Sequence, residues 1–298
     1  MKVFVTGASG FLGHVVCAEA LSRGHEVHAL VRRPGSEPAG TIAVAGDLTD
    51  AGALTAALTQ IEPDYVIHLA AEIATQRDLS KIAAVNVAGT KHLLEACTAA
   101  GNPKFVFTST VVTGEANGEL LTEDSDLPYD TPYGESKRVG EQLVLESGLP
   151  AVIIRPSHVY GPGGWYAHEI VKRLQEPGRL VVIGNGKNLW DVVHVDDVAA
   201  ACLDGAEKAP AGAIYHVADD EPLTQYEFVA LTAQALGVGK PRCIPKALAK
   251  LVAGPNTVIA VARSARSSNA KIKRELGWTP RFPSAKQGVP AAVASLAQ

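Results

Sequence analysis

The sequence predicts an α/β protein built on a doubly wound parallel sheet, with a smaller, mainly C-terminal lobe. Three observations carry this expectation. Short apolar runs alternate with helical patterns from residue 1 to about 155, a glycine-rich turn joins the first run to the first helix, and 298 residues suffice for a large α/β domain with an added lobe.

The first run, Lys2–Thr6, has strand length, and Leu12, Val16 and Ala20 recur at the spacing of an inward helix face. Between them lies Thr6-Gly7-Ala8-Ser9-Gly10-Phe11-Leu12-Gly13, with glycines three apart. Missing side chains let backbone N–H groups approach a pyrophosphate at the positive end of the helix. Gly7, Ser9, Gly10, Phe11, Leu12 and Gly13 are therefore candidate dinucleotide contacts. A glycine pattern alone also fits a purely structural turn; the strand before it, the helix after it and a second strand at Glu26–Val31 favour dinucleotide binding.

The second strand bears on the choice of cofactor. An acidic residue about twenty positions beyond the glycines usually holds the ribose 2′-hydroxyl of NAD. Val31 stands there instead, followed by Arg32 and Arg33, whose guanidiniums suit a 2′-phosphate. NADP is the preferred cofactor on this chemistry, with NAD as the alternative. Asp47 and Leu48 follow the next apolar stretch, where the carboxylate suits the adenine amino group or a helix cap near Asp50. The strand Tyr65–Leu69 ends in His68-Leu69-Ala70-Ala71, small enough for a ribose or pyrophosphate to lie against the backbone; packing accounts for His68 equally well. Asn86 falls in a helix expected over 78–100, where a buried amide needs partners and ties elements together near the site.

The strand Phe105–Ser109 closes with three hydroxyls, Thr108, Ser109 and Thr110. A helix expected over 132–147 opens with Thr131 and Pro132, good N-cap and first-turn residues, so Tyr133 and Lys137 fall one turn apart on one face. A phenol ionises near pH 10, and a neighbouring ammonium favours the phenolate. Tyr133 is then a candidate acid/base, with a strand-end hydroxyl holding the substrate oxygen. After the strand Ala151–Ile154, Pro156–Gly164 and Gly184–Asn188 are rich in proline or glycine and read as excursions into a second lobe, whereas Asp191–Asp197 and Ala213–Val217 read as returns to the sheet. The expected division is a dinucleotide-binding domain over 1–155 with returns near 191–217, and a substrate lobe over 156–190 and 218–298.

In this order of motifs the chain resembles the extended short-chain dehydrogenase/reductase family. Further matching stretches are Arg155-Pro156-Ser157-His158-Val159-Tyr160-Gly161-Pro162, His194-Val195-Asp196-Asp197-Val198-Ala199 and Glu275-Leu276-Gly277-Trp278-Thr279-Pro280. The resemblance implies a Rossmann fold, Tyr133 as acid/base, Lys137 binding the nicotinamide ribose, Thr110 at the catalytic hydroxyl position with Ser109 beside it, and Pro156, Ser157 and His158 along the nicotinamide. It also implies a homodimer through the helices near 78–100 and 132–147. Departures from the family pattern bear on substrate. Nucleotide-sugar epimerases of this family commonly place an arginine where Trp190 stands, and dehydratases an Asp-Glu pair where Val111-Val112 stand. Val31-Arg32 and the Thr-Gly-Ala-Ser-Gly-Phe turn resemble the dihydroflavonol reductase-like branch.

Three functions are thus set against one another: an oxidoreductase acting on a carbonyl or secondary alcohol of a fairly apolar small molecule, walled by Trp165, Tyr166 and Trp190; an epimerase of a nucleotide sugar with tightly held NAD; and an NADP-sensing binding protein, which has no need of a proton relay. A formal charge of −4 without a basic stripe argues against nucleic acid. Cys17, Cys97, Cys202 and Cys243 show no paired spacing, which suggests buried thiols and a cytoplasmic location. No apolar run spans a bilayer, and the histidines lack metal-ligand spacing.

Overall fold

The computed structural model describes residues 1–73, 76, 78–176, 181–253, 258 and 261–297. Parts of the expected substrate lobe at 177–180, 254–257, 259–260 and 298 lie outside them.

Among the described residues the central sheet has seven parallel strands: β1 (Lys2–Thr6), β2 (Glu26–Val31), β3 (Ile42–Ala45), β4 (Tyr65–His68), β5 (Lys104–Thr108), β6 (Ala151–Pro156) and β7 (Ile214–Val217). Their spatial order is β7-β6-β5-β4-β1-β2-β3, so the sheet winds outward in both directions from the gap between β1 and β4. This is a Rossmann-type doubly wound sheet, in which ligands bind beyond the carboxyl ends of the strands at the point of reversal.

Strand alternation builds two cores. Val3 and Val5 of β1 face one layer, with Val16, Cys17 and Ala20 of α1 (Phe11–Ser22). Phe4 faces the other, with Leu54 and Leu58 of α2 (Ala51–Ile61) and Leu93 and Cys97 of α3 (Thr90–Ala99). A fourth helix, α4 (Pro132–Glu146), adds Val144 to this second layer, and α5 (Val195–Lys208) covers the first with Val198 and Cys202. The lobe has its own core of Tyr160, Tyr166, Trp190, Phe228 and Val289.

Two expectations change. Only the return at Ile214–Val217 joins the central sheet; Val192–His194 pairs instead with His158–Tyr160, as a separate parallel pair. The expected helix over 78–100 is a helical turn, Leu79–Ile82, then a π-helical stretch, Ala83–Gly89, leading into α3. The π turn carries Asn86 inward, and its amide makes three hydrogen bonds there. No helix among the described residues is long and apolar enough to cross a membrane.

A buried ion pair ties α4 to the sheet. Arg155 in β6 donates from Nε (2.8 Å) and Nη2 (2.6 Å) to the two carboxylate oxygens of Glu141. Both side chains are over nine-tenths buried, so removal of either strands a charge. Arg155→Met is expected to lose about 3–5 kcal/mol of stability in urea unfolding. The double replacement Arg155→Met/Glu141→Leu should recover most of it.

Candidate active site

The glycine turn is held by contacts that exclude side chains. Gly7 has φ +71°, and a Cβ there would stand 2.7 Å from Ala70 N. On Gly13 a Cβ would lie 2.1 Å from Gly7 O, so the first turn of α1 rests directly on the loop. Gly10 differs: it is exposed, and a Cβ would meet only Gly7 O at 3.1 Å. Gly10 is the N-cap of α1 and gives no side-chain cap, and the first helical turn holds no acidic residue. Such a helix start suits a phosphate. Ser9 is exposed and Phe11 and Leu12 are half-buried around it.

At the end of β2, Arg32 and Arg33 are exposed and neither forms an ion pair among the described residues. Asp47 accepts from Thr49 N (2.9 Å) and Thr49 Oγ1 (2.7 Å). These bonds, with a smaller contribution from Arg32, hold its carboxyl below the ordinary range. The cap of α2 is Asp50, which accepts from Ala53 N, so Asp47 is not needed as a cap. Leu48 is buried in the core under Gly89, while Leu69, Ala70 and Ala71 are half-buried beyond β4.

A hydrogen-bonded chain runs beneath this surface. Ala70 N donates to Thr6 Oγ1 (3.3 Å), which lies 2.6 Å from His68 Nδ1; His68 Nε2 lies 3.0 Å from Thr90 Oγ1, which donates to Asn86 O (2.7 Å). With each hydroxyl donating onward, Nδ1 accepts and Nε2 carries the proton. Burial, aided by the Lys137 charge, pushes the His68 pKa down to about 3. Asn86 accepts from Glu72 N (2.7 Å) and donates to Glu72 O (2.9 Å) and Ser136 Oγ (3.0 Å), tying the loop after β4 to α4. All of its amide bonds are internal ones.

The hydroxyl-ended strand and the Tyr/Lys helix do meet. Thr131 Oγ1 caps α4 by accepting from Gly134 N, as its sequence position predicts. Lys137 Nζ donates to Thr108 O (2.8 Å) and lies 4.8 Å from the centre of the Phe107 ring. Burial pushes its pKa down to about 8, with Glu141 opposing. Ser109 is buried, its N–H bonded to Ile154 O (2.7 Å). Thr110 Oγ1 donates to Pro156 O (3.2 Å) and accepts from Val112 N (2.9 Å). Tyr133 is half-buried, and desolvation raises its phenol to about 12. Burial is the cause of that rise.

Ser157 follows Pro156, and its buried Oγ has no hydrogen-bond partner among the described residues. An orphaned hydroxyl there, the side-chain-free helix start and the paired guanidiniums all fit a nicotinamide dinucleotide. The expected aromatic wall is only partly realised. Trp165 is half-buried and donates from Nε1 to Val159 O (2.6 Å); Trp190 donates to Val261 O (3.1 Å) and stacks on His158. Tyr166 is fully buried, its hydroxyl 3.0 Å from Thr232 Oγ1, so it belongs to the lobe core.

Two buried charges near this wall escaped the sequence reading. Arg263 donates to Gly114 O (2.9 Å) and Val111 O (3.1 Å), clamping the loop beyond Thr110, and its Nη1 lies 3.8 Å from Asp191 Oδ1. Ser267 donates to the other oxygen of Asp191. These residues are far apart in sequence, and only a lone arginine after the apolar Val261-Ala262 hinted at them.

Residues 3–218 match the model of the NAD-dependent epimerase/dehydratase family. The chain belongs to that family. Within it the chain is an extended short-chain dehydrogenase/reductase, an NAD(P)-dependent oxidoreductase. It is 31% identical over 302 residues to the 3-diazoavenalumate denitrifying reductase of a Streptomyces species, covering 97% of this chain and 99% of the relative. It is also 34% identical to the 2-alkyl-3-oxoalkanoate reductase of Stenotrophomonas maltophilia, over 81% of this chain and 77% of that one. Among solved structures, the UDP-glucose 4-epimerase of Thermus thermophilus in complex with NAD superposes with a TM-score of 0.86 at 27% identity, covering 100% of this chain and 99% of the other.

The two kinds of glycine separate experimentally. Gly13→Ala is expected to destabilise the fold by at least about 1 kcal/mol in denaturant titration, because the added methyl overlaps the loop. Gly10→Val should keep most of the stability and weaken dinucleotide binding by about tenfold or more, measured by calorimetry.

Proposed function

We propose that this oxidoreductase prefers NADP and interconverts a carbonyl and a secondary alcohol on a largely apolar small molecule. The observation that carries the reading is the convergence of Thr108–Thr110, Lys137 and Pro156 at the carboxyl ends of β5 and β6, with Tyr133 one turn before Lys137. NADP, when bound, delivers or accepts the hydride and brings a positive ring in its oxidised form. Tyr133 gives its proton to the substrate oxygen in reduction and takes one in oxidation. Lys137 binds the nicotinamide ribose and opposes the rise that burial imposes on the phenol. Thr110 turns from Pro156 O, or Ser109 serves in its place, to hold the substrate oxygen. Gly7, Ser9, Gly10, Phe11, Leu12 and Gly13 frame the pyrophosphate; Asp47 and Leu48 border the adenine, Leu69, Ala70 and Ala71 the ribose, and Pro156, Ser157 and His158 the nicotinamide. Asn86 acts by positioning the loop after β4.

Arg32 and Arg33, exposed and without an ion pair among the described residues, support the phosphorylated cofactor. The indole of Trp190, whose N–H is spent on Val261 O, has no donor for a substrate diphosphate, which favours the reductase over the epimerase reading. The relative named for reducing 2-alkyl-3-oxoalkanoates supports the same direction. Exposed Leu79 and Leu145 support a homodimer through the helices near 78–100 and 132–147. The four free cysteines, three of them buried, support a cytoplasmic location.

Arg32→Ala should weaken NADP binding by about 1.5–3 kcal/mol and leave NAD nearly unchanged, read by paired titrations. Retained NADP preference overturns the assignment.

Tyr133→Phe should lower turnover by about 10²–10⁴ with little change in cofactor affinity. Oxidation needs the phenolate, so its rate rises with pH. In Lys137→Ala that rise should move to higher pH, because the charge favouring the phenolate is gone, and cofactor affinity should fall.

A further inference from the structure

We propose that His158 is a recognition residue, whose Nε2 accepts a hydrogen bond from a substrate hydroxyl distinct from the reacting oxygen. This names the substrate class within the reading above: a largely apolar ketone that carries a hydroxyl. The ring is held on three sides. It stacks on Trp190 with centroids 4.8 Å apart and planes 17° from parallel, and meets the edge of Trp165 at 6.3 Å. Its Nδ1 lies 3.1 Å from the backbone oxygen of Asp191. A carbonyl oxygen only accepts, so Nδ1 carries the proton, and in the neutral ring Nε2 holds the lone pair.

The Asp191 carboxylate, 3.9 Å from Nδ1, already faces Arg263 at 3.8 Å and accepts from Ser267. Both indole N–H groups end on backbone carbonyls, so neither tryptophan offers a polar atom to a ligand. Nε2 has no hydrogen-bond partner among the described residues, and the side chain keeps 13% of its surface exposed. In the chain His158 follows two residues after Pro156, whose carbonyl accepts from Thr110 at the hydroxyl end of β5. One acceptor in an otherwise apolar aromatic wall selects a donor on an apolar body.

The test compares acetophenone, its three monohydroxy isomers and the three methoxy counterparts on wild type, His158→Phe and His158→Gln. Two readouts are taken: kcat/KM with NADPH, and dissociation constants for the NADP-loaded protein from quenching of tryptophan fluorescence. At least one hydroxy isomer should exceed its methoxy counterpart by about fivefold or more, the scale of one net hydrogen bond. His158→Phe should erase that ratio, and His158→Gln, whose amide oxygen accepts, should restore part of it. Equal handling of hydroxy and methoxy isomers by wild type, a ratio that survives in His158→Phe, or failure of every isomer to bind overturns the proposal. Hydroxyl-selective binding without turnover keeps the proposal and sinks the ketone-reduction reading; turnover without selectivity does the reverse.

Discussion

The close approach of Gly7, Gly13 and Ala70 sets the geometry on which the site depends. The left-handed Gly7 lets β1 stop and α1 start within one turn, and the absence of a Cβ on Gly13 lets the helix sit on the carbonyl of Gly7. Because Ala70 N belongs to the segment leaving β4, the same contact fixes the two strands flanking the reversal of the sheet. A dinucleotide crevice opens where adjacent strands send their connections to opposite faces. Here steric exclusion packs the turn against the segment leaving β4 and leaves Gly10 exposed at the start of α1.

Away from the turn, buried polar groups do the positioning. The chain from Ala70 through Thr6, His68 and Thr90 to Asn86 satisfies every member without a charge, which is the cheap way to bury a histidine. Glu141 is charged and is met bidentately by Arg155, which fixes the roll of α4 against β6 and so the height at which Lys137 reaches Thr108 O. The cost of this enclosure appears at Tyr133 and Lys137. Desolvation raises the Tyr133 phenol to about 12 and lowers Lys137 to about 8, each toward its neutral form. Burial thus disfavours a phenolate beside an ammonium at these two positions.

What was legible in the sequence was local. The cap of α4 follows from Thr131 and Pro132, the glycine turn from its spacing, and five of the seven sheet strands from apolar runs. Ala213–Val217 was also legible as a return strand. β3 passed unmarked because an edge strand of Ile42, Ala43, Val44 and Ala45 is short and largely exposed, so burial left little imprint on it. The π turn at Asn86 depends on the partners Glu72 and Ser136, the second of them fifty residues away, and no helical periodicity reports such bonds. Val192–His194 has the apolar character of a sheet strand, yet its partner is His158–Tyr160. Composition specifies a buried strand without saying in which sheet it lies. Tyr166 beside Trp165 reads as one wall, although the two rings meet edge to face with Tyr166 fully buried in the lobe core and only Trp165 partly exposed.

The long-range contacts that escaped the sequence join later segments of the chain to the loops of the central sheet at two points, and each explains why the two cannot vary independently. Arg263 crosses from the lobe to hold the carbonyls of Val111 and Gly114, so the loop that carries Thr110 is braced by a residue about 150 positions later. Asp191 balances that arginine and its backbone carbonyl fixes the ring of His158, which makes one buried charge pair common to the loop after Thr110 and the aromatic wall. At the other point, Gly161, Gly163 and Gly164 lie against the ring of Phe11, where a Cβ on Gly164 would stand 2.6 Å from a ring carbon. Phe11 is the first residue of α1 after its N-cap Gly10, and Gly164 immediately precedes Trp165. Close packing transmits displacement across such contacts because neither side has room to absorb it. The position of the aromatic wall is thereby referred to the glycine turn, and the loop after Thr110 to the wall, so that the parts of this surface are held in register by close packing on α1.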